Sequence, residues 1–316
     1  MTRWLIDDRP ATRWTRAYVR GMWLARDKRA FEGAAHTLRT AWARQQGGDA
    51  PPTRWTRARR RATRREVAGM AVWSVAPRRT APAVRVVYVH GGGYVHPLTS
   101  DYWRLVRALS SAPAEVLVPA YPLAPGARVD EVLPRLLEVV RSTTEQQPDL
   151  PLVLMGDSAG GALVLVLARL LQDRHGLRAD AVVPLSPWLD ARLDEERVTE
   201  LEATDPMLAE TGLRAAGRWW AGVRDTGDPL VSPVHASLAE LPPVELWIGE
   251  HDILRPAVDT LAERADRDGC DLTVHEVPAM FHVWMTRAIP EARRTRQALV
   301  ALLRRVSGAG GRGAGH

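Results

Sequence analysis

The chain has 316 residues, 46% of them hydrophobic, enough to bury a sizeable core, and its single cysteine, Cys270, excludes a disulfide-framed secreted scaffold. The formal charge of +6 conceals a split. Residues 1–79 carry 19 Lys+Arg against 6 Asp+Glu, a balance of +13, while the remaining residues carry 24 against 31, a balance of −7. Six of the 12 tryptophans also fall in that first quarter, so two regions of different chemistry share one chain.

The first ten residues have no apolar core of signal-peptide length, with Asp7 and Asp8 interrupting it. No apolar run reaches the ~18–20 residues of a membrane-spanning helix, and the longest, Ala162 to Leu171, reads as a buried helix. The expectation is a soluble, cytoplasmic protein. From Trp14 to Gln46 the residues favour helix, until Gly47-Gly48-Asp49-Ala50-Pro51-Pro52 breaks it, and Arg54 to Arg65 is a basic run around Trp55. Beyond that, short β-branched stretches alternate with longer helical ones. Strands are expected at Val67–Val75, Val84–Val89, Val116–Ala120, Leu152–Met155, Ala181–Pro184, Val244–Ile248 and Leu272–Val277. Helices are expected at Tyr102–Ser111, Val129–Gln146, Ala159–His175, Pro256–Asp268 and Pro290–Val306, with a disordered Gly-rich tail over 307–316. This alternation predicts an α/β fold with a mostly parallel sheet covered on both faces. The stretch from Leu189 to Asp228 breaks the pattern: it has no convincing strand and is rich in acids, including Asp190, Asp194, Glu195, Glu200 and Asp205. An insertion of that length reads as a lid.

Two motifs carry chemistry. Gly156-Asp157-Ser158-Ala159-Gly160-Gly161 lies between a predicted strand and an apolar helix, the setting of a nucleophile elbow that forces Ser158 into a strained turn and aims a helix N-terminus at it. His90-Gly91-Gly92-Gly93-Tyr94 directly follows the strand Val84–Val89. Three glycines let the backbone approach a substrate and converge N–H groups on an oxyanion, with the donors assigned to Gly92, Gly93 and Ala159. The His90 ring reads as a brace for that loop, with a proton-transfer role as the alternative.

At these residues, with Tyr121-Pro-Leu-Ala-Pro125, Asp228-Pro-Leu-Val-Ser-Pro233, Gly249-Glu-His-Asp-Ile-Leu254 and Met280-Phe-His282, the sequence resembles the hormone-sensitive-lipase-like α/β-hydrolase esterases from about Val84 to Val300. The resemblance implies an α/β-hydrolase fold with a helical cap, carboxylic ester hydrolysis, and Asp157 supporting the elbow and its loop. The family pattern often has an acid where this chain has Pro256 and a glutamate where it has Gly126. These departures touch loop stability more than mechanism.

The remaining partners of Ser158 follow from position. The base should be a histidine on a loop after a late strand, and of nine histidines His282 fits, after Leu272–Val277 and the Pro278-Ala279 turn. His275 lies inside a strand, His175 at a helix end, and His96 and His235 on loops that do not match. The orienting acid is Asp252 or, as runner-up, Glu250, both beyond Val244–Ile248, and the resemblance favours Asp252. The order Ser158, Asp252, His282 is the α/β-hydrolase order.

The sequence points to no metal and no cofactor, since no histidine and carboxylate pairs have ligand-like spacing. Tyr94, Trp188, Trp219 and Trp220 are candidates to line a pocket for a small-molecule ester. The basic segment, residues 1–65, is expected to form a helical cap with the 189–228 insertion, over a catalytic domain of residues 66–306, its charge partly neutralised by the acidic insertion. A membrane-surface contact is the alternative, and nucleic acid the least favoured, because 42 of 43 basic residues are arginine, a mark of composition bias. The expected assembly is a monomer or homodimer. Acting on short to medium acyl esters is the leading reading. A metabolite deacetylase or acyltransferase on the same residues, or a non-catalytic receptor, is the alternative.

Overall fold

A computed structural model describes residues 1–310. The sheet residues alternate strictly between two cores. In β4 (Val84–Val89), Val84, Val86 and Tyr88 face one side while Val87 and Val89 face the other, as a period of two demands. One core is closed by α4 (Tyr102–Leu109) and α10 (Pro290–Gly310), the other by α5 (Val129–Gln146), α6 (Ala159–His175) and α9 (Pro256–Asp268). The strands between them are β5 (Ala114–Ala120), β6 (Leu152–Asp157), β7 (Ala181–Leu185), β8 (Val244–Gly249) and β9 (Leu272–Val277).

Two antiparallel strands, β2 (Arg61–Val67) and β3 (Met70–Ala76), end the sheet beyond β5, and β1 (Arg3–Ile6) ends it beyond β9. The order is β1-β9-β8-β7-β6-β4-β5-β3-β2, parallel from β1 through β5. After β4 the chain steps outward to β5, then returns to the other side of β4 for β6. This reversal opens a crevice at the carboxyl ends of β4 and β6, where ligands of open α/β sheets bind. The segments after β8 and β9 emerge at that same edge because all four strands run in parallel.

The structure corrects several expectations. The single strand predicted over Val67–Val75 is a hairpin, turning at Ala68 and Gly69, both with positive φ (51° and 70°). Its outer strand β2 carries Arg61, Arg64 and Arg65, charges that discourage edge pairing with another chain. The helix predicted over 14–46 is two, α1 (Arg13–Ala25) and α2 (Ala34–Gln46), split at Arg26 (φ 56°) by a 3₁₀ turn over Asp27–Phe31. Residues 1–65 are therefore not helical throughout, because β1 and the start of β2 belong to the sheet. Helix α10 runs through Gly310 rather than stopping at Val306, and the rest of the predicted tail, 311–316, lies outside the described residues.

The short helix α3 (Arg54–Arg59) follows α2, while the 189–228 insertion contains α7 (Arg197–Glu202) and α8 (Glu210–Ala221) and no strand. The basic segment does meet the insertion, α2 lying against α8. Charge neutralisation is not how they meet. Gly212 of α8 packs on the carbonyl of Phe31, where any Cβ would collide. Lys28–Glu202, at 3.8 Å, is the one ion pair between them among the described residues. Several of the insertion's acids pair instead with its own arginines, Asp190 with Arg192, and Glu210 and Asp194 with Arg214. Neighbours in sequence reach one another first, which leaves the N-terminal arginines to solvent. Among the described residues, no helix is long and apolar enough to cross a membrane.

Candidate active site

β6 ends at Asp157 and α6 begins at Ala159, so Ser158 makes the entire turn alone, at φ 53° and ψ −121°. That conformation is strained for any residue with a Cβ. It is held by Ser158 N–H donating to Leu185 O (2.8 Å) and by Ser158 O accepting from Trp188 N–H (2.9 Å). The turn closes only because Gly160 has no side chain: a Cβ there would run into the carbonyl oxygen of Val89 in β4. The same contact brings the elbow against the loop that leaves β4.

That loop is His90–Tyr94. Gly92 sits at φ 101°, a region closed to other residues, and its carbonyl accepts from Val95 (3.1 Å) and His96 (2.9 Å). Among the described residues, the amides of Gly92, Gly93 and Ala159 donate to no protein acceptor. The His90 ring contacts Gly91 O through Nδ1 (2.8 Å) and stacks on Tyr121 at 4.4 Å, whose hydroxyl donates to His90 O (2.9 Å). Asp157 lies fully buried beneath, accepting from Tyr88 OH (2.6 Å), Gly91 N–H (3.1 Å) and Tyr102 OH (3.1 Å). Burial pushes its carboxyl up to about 6 against those donors.

Of the two acids left open by position, the structure brings Asp252 to His282. His282 Nδ1 donates to Asp252 Oδ2 at 2.9 Å, both side chains buried. Glu250 is half exposed and accepts from Ala279 N–H (2.7 Å). Asp252 Oδ1 accepts from Leu254 N–H (3.0 Å), fixing the carboxylate. With Nδ1–H committed, Nε2 of a neutral His282 is an acceptor. Burial alone would lower this imidazole, but the carboxylates of Asp252, Asp205 and Asp157 outweigh it and hold the ring above its ordinary value. The Ser158 hydroxyl makes no hydrogen bond among the described residues, so its link to Nε2 is the one contact of this set left open. Among the other histidines, His275 pairs with Glu245 (2.9 Å) and stacks on Trp247, and His235 meets Asp190 (2.9 Å).

Ser158 and His282 open on one cavity of about 530 Å³, walled by Gly92 and Gly93, by Phe31 of the N-terminal segment, and by Met207, Leu208 and Leu213 of the insertion. Arg26, Arg29 and Arg44 lie along the N-terminal side. None of the four aromatic residues predicted to line a pocket does so. Tyr94, Trp188 and Trp220 are fully buried as a stack, Tyr94 parallel to Trp220 at 4.4 Å and beside Trp188 at 5.3 Å, and Trp219 is half-buried at its edge. Three large rings bury more apolar surface against one another than they would against an open cleft. Phe31 lines the cavity instead, its ring 3.0 Å from where a Cβ on Gly93 would sit. Its position depends on the 3₁₀ turn and α2 packing against α8 of the insertion, which no local pattern announces. His96, whose loop does not match the base's position in sequence, borders the same cavity, its imidazole lowered to about 3 by burial and by Arg44.

Strand order, elbow and glycine loop together define an α/β hydrolase, and comparison agrees. A family model described as the α/β-hydrolase fold matches residues 86–286. An acetyl-hydrolase of Streptomyces hygroscopicus is 32% identical over 230 residues, 71% of this chain and 77% of that protein. An esterase of Acinetobacter venetianus is 27% identical over 221 residues, 66% of this chain and 71% of its own. A solved esterase from the bacterial hormone-sensitive lipase family superposes with a TM-score of 0.81 over 95% of this chain and 100% of its own, at 24% identity. The chain belongs to the α/β-hydrolase family.

The electrostatics of His282 can be measured directly. Its NMR titration should have a midpoint above the ~6.5 of an ordinary imidazole. Asp252→Asn should bring it down, because the dominant nearby carboxylate is lost. A midpoint well below ~6.5 in the unsubstituted protein would contradict the arrangement.

Proposed function

We propose that this carboxylic ester hydrolase cleaves esters of short to medium acyl chains through Ser158, His282 and Asp252 by way of an acyl-enzyme. The observation that carries the reading is the buried hydrogen bond from His282 Nδ1 to Asp252, on the wall of the cavity that also holds the strained Ser158. The relay is complete once Ser158 Oγ comes within hydrogen-bond reach of Nε2, a bond of the kind that tightens when substrate is bound. Ser158 Oγ attacks the ester carbonyl carbon while Nε2 takes its proton, and Asp252 holds the tautomer and stabilises the imidazolium. The free amides of Gly92, Gly93 and Ala159 receive the oxyanion, each such donor being worth roughly 3 kcal/mol. Collapse breaks the bond to the alcohol, which leaves with the proton from Nε2. Water then repeats the sequence on the acyl-enzyme and frees the acid. His90 and Asp157 hold the glycine loop and elbow in register.

The N-terminal segment and the insertion form the cap, each contributing walls to the cavity. A space of about 530 Å³, shared between acyl and alcohol parts, suits a short acid. The name of the Streptomyces relative, an acetyl-hydrolase, supports including acetyl esters at the low end of that range.

With p-nitrophenyl esters, kcat/KM should peak between acetate and hexanoate, and Ser158→Ala should lower it by about 10⁴ or more without changing the melting profile. A peak at decanoate or longer would overturn the acyl range, and an active Ser158→Ala would overturn the nucleophile.

The cap also supports contact with an anionic lipid surface. All of the exposed large apolar side chains except Val223 lie in residues 1–55, among them Trp14, Trp23, Leu24, Trp42 and Trp55, interspersed with unneutralised arginines. Trp23 and Leu24 directly precede Ala25 and Arg26 at the cavity edge. Vesicles containing phosphatidylglycerol should sediment the protein in low salt and release it in high salt, with Trp23→Ala/Leu24→Ala weakening the association. Equal failure to bind charged and neutral vesicles would contradict it.

A further inference from the structure

Asp205 belongs to the acid-rich insertion, yet it is fully buried in the turn between α7 and α8 and faces the sheet rather than solvent. Its two oxygens serve different parts of the molecule. Oδ1 accepts from the amides of Met207 (2.7 Å) and Leu208 (3.1 Å), two of the three insertion residues on the cavity wall. Oδ2 crosses to the loop after β8 and accepts from Ile253 N–H at 3.1 Å. The next amide, Leu254 N–H, is taken by Asp252 itself (3.0 Å). Two carboxylates remote in sequence thus hold consecutive amides of one loop, and one of them is the partner of His282.

The N-terminal segment reaches the same place. Lys28, the chain's only lysine, points its ammonium at the carbonyl oxygens of Glu202 and Asp205, the latter at 3.4 Å. Both halves of the cap therefore converge on Asp205, and through Ile253 on the loop of Asp252.

We propose that Asp205 is a positioning residue for the Ser158–His282–Asp252 relay: it fastens the insertion to the Asp252 loop and supplies a second buried negative charge that favours protonated His282. The proposal rests on the triad reading above. Three carboxylates face His282, each from a different element: Asp252 after β8, Asp205 from the insertion and Asp157 at the end of β6. Asp205 itself faces Asp252 and His282, with Lys28 at its backbone carbonyl. Arg287 borders the same cavity but is committed to Asp101 at 2.9 Å. Burial, and then repulsion from Asp252, raise the Asp205 carboxyl to about 6, partly offset by His282 and the amides. In its ionised form Asp205 lowers the cost of the imidazolium that forms when His282 takes a proton from the serine.

Removing this charge should make His282 a weaker base. The acid limb of kcat/KM, which follows protonation of that imidazole in the free enzyme, then moves to lower pH. The test compares the full chain with Asp205→Asn, which keeps the shape and one acceptor oxygen, using p-nitrophenyl butyrate from acid to neutral pH. D205N should lose about tenfold in kcat with a smaller change in KM, and its acid limb should fall by about one pH unit. Asp205→Ser, smaller and also uncharged, should show the same displacement even if the asparagine crowds the fold. Asp205→Glu, which keeps the charge, should retain the original limb whatever its kcat. An acid limb unmoved in both D205N and D205S would overturn the proposal, as would a limb displaced equally in D205E. Neither result bears on the nucleophile, which Ser158→Ala tests separately.

Discussion

The site depends on one close approach: the start of α6 lies so near the end of β4 that Gly160 has no room for a Cβ beside Val89 O. Because of that contact the strained Ser158 turn and the His90–Tyr94 loop share one edge of the sheet, and Gly92, Gly93 and Ser158 line one cavity. Parallel pairing does the rest. β4, β6, β8 and β9 all end at this edge, so residues from four separate parts of the chain meet without any long loop having to fold into the site. The strain at Ser158 is retained because the surrounding sheet and helix over-determine it.

The charge split that marks the sequence takes a different meaning in three dimensions. The basic quarter is stitched to both ends of the fold, through β1 beside β9 and the β2–β3 hairpin beside β5, and between those anchors α1 and α2 lie over the site. Its contact with the acidic insertion is made by close backbone packing and one lysine rather than by paired charges. The arginines are left outward and around the cavity edge, where they shape the field met by an approaching ligand or surface.

Much of the site was legible because its chemistry is local. Gly156–Gly161 and His90–Tyr94 each hold their meaning within six residues, and the strands preceding them are short, mostly apolar runs. Chain order points to His282, while position alone leaves Asp252 and Glu250 open; the resemblance favours Asp252, and the turn of the β8 loop brings that carboxylate to His282. The parts that escaped are those created by distant segments meeting. Arg3–Ile6 is four residues with no pattern of its own and becomes a strand only beside β9. In sequence Phe31 reads as one more residue of a helix and Asp205 as one of many acids in an insertion; their places beside the cavity come from segments far apart in the chain. Tyr94, Trp188 and Trp220 were read as a pocket because aromatic residues near a motif invite it, whereas mutual stacking buries them. Sequence period reports which face of an element is apolar, not what will cover it.

The central claim is that the Ser158 hydroxyl is activated by His282 and Asp252 to form a covalent intermediate. Mass spectrometry after treatment with diethyl p-nitrophenyl phosphate, which traps such serines, addresses it most directly. One diethylphosphoryl group per chain should appear on the peptide containing Ser158, and Asp252→Asn should slow its formation by about 10³ or more. An unmodified Ser158, or labelling equally fast without Asp252, would contradict the account.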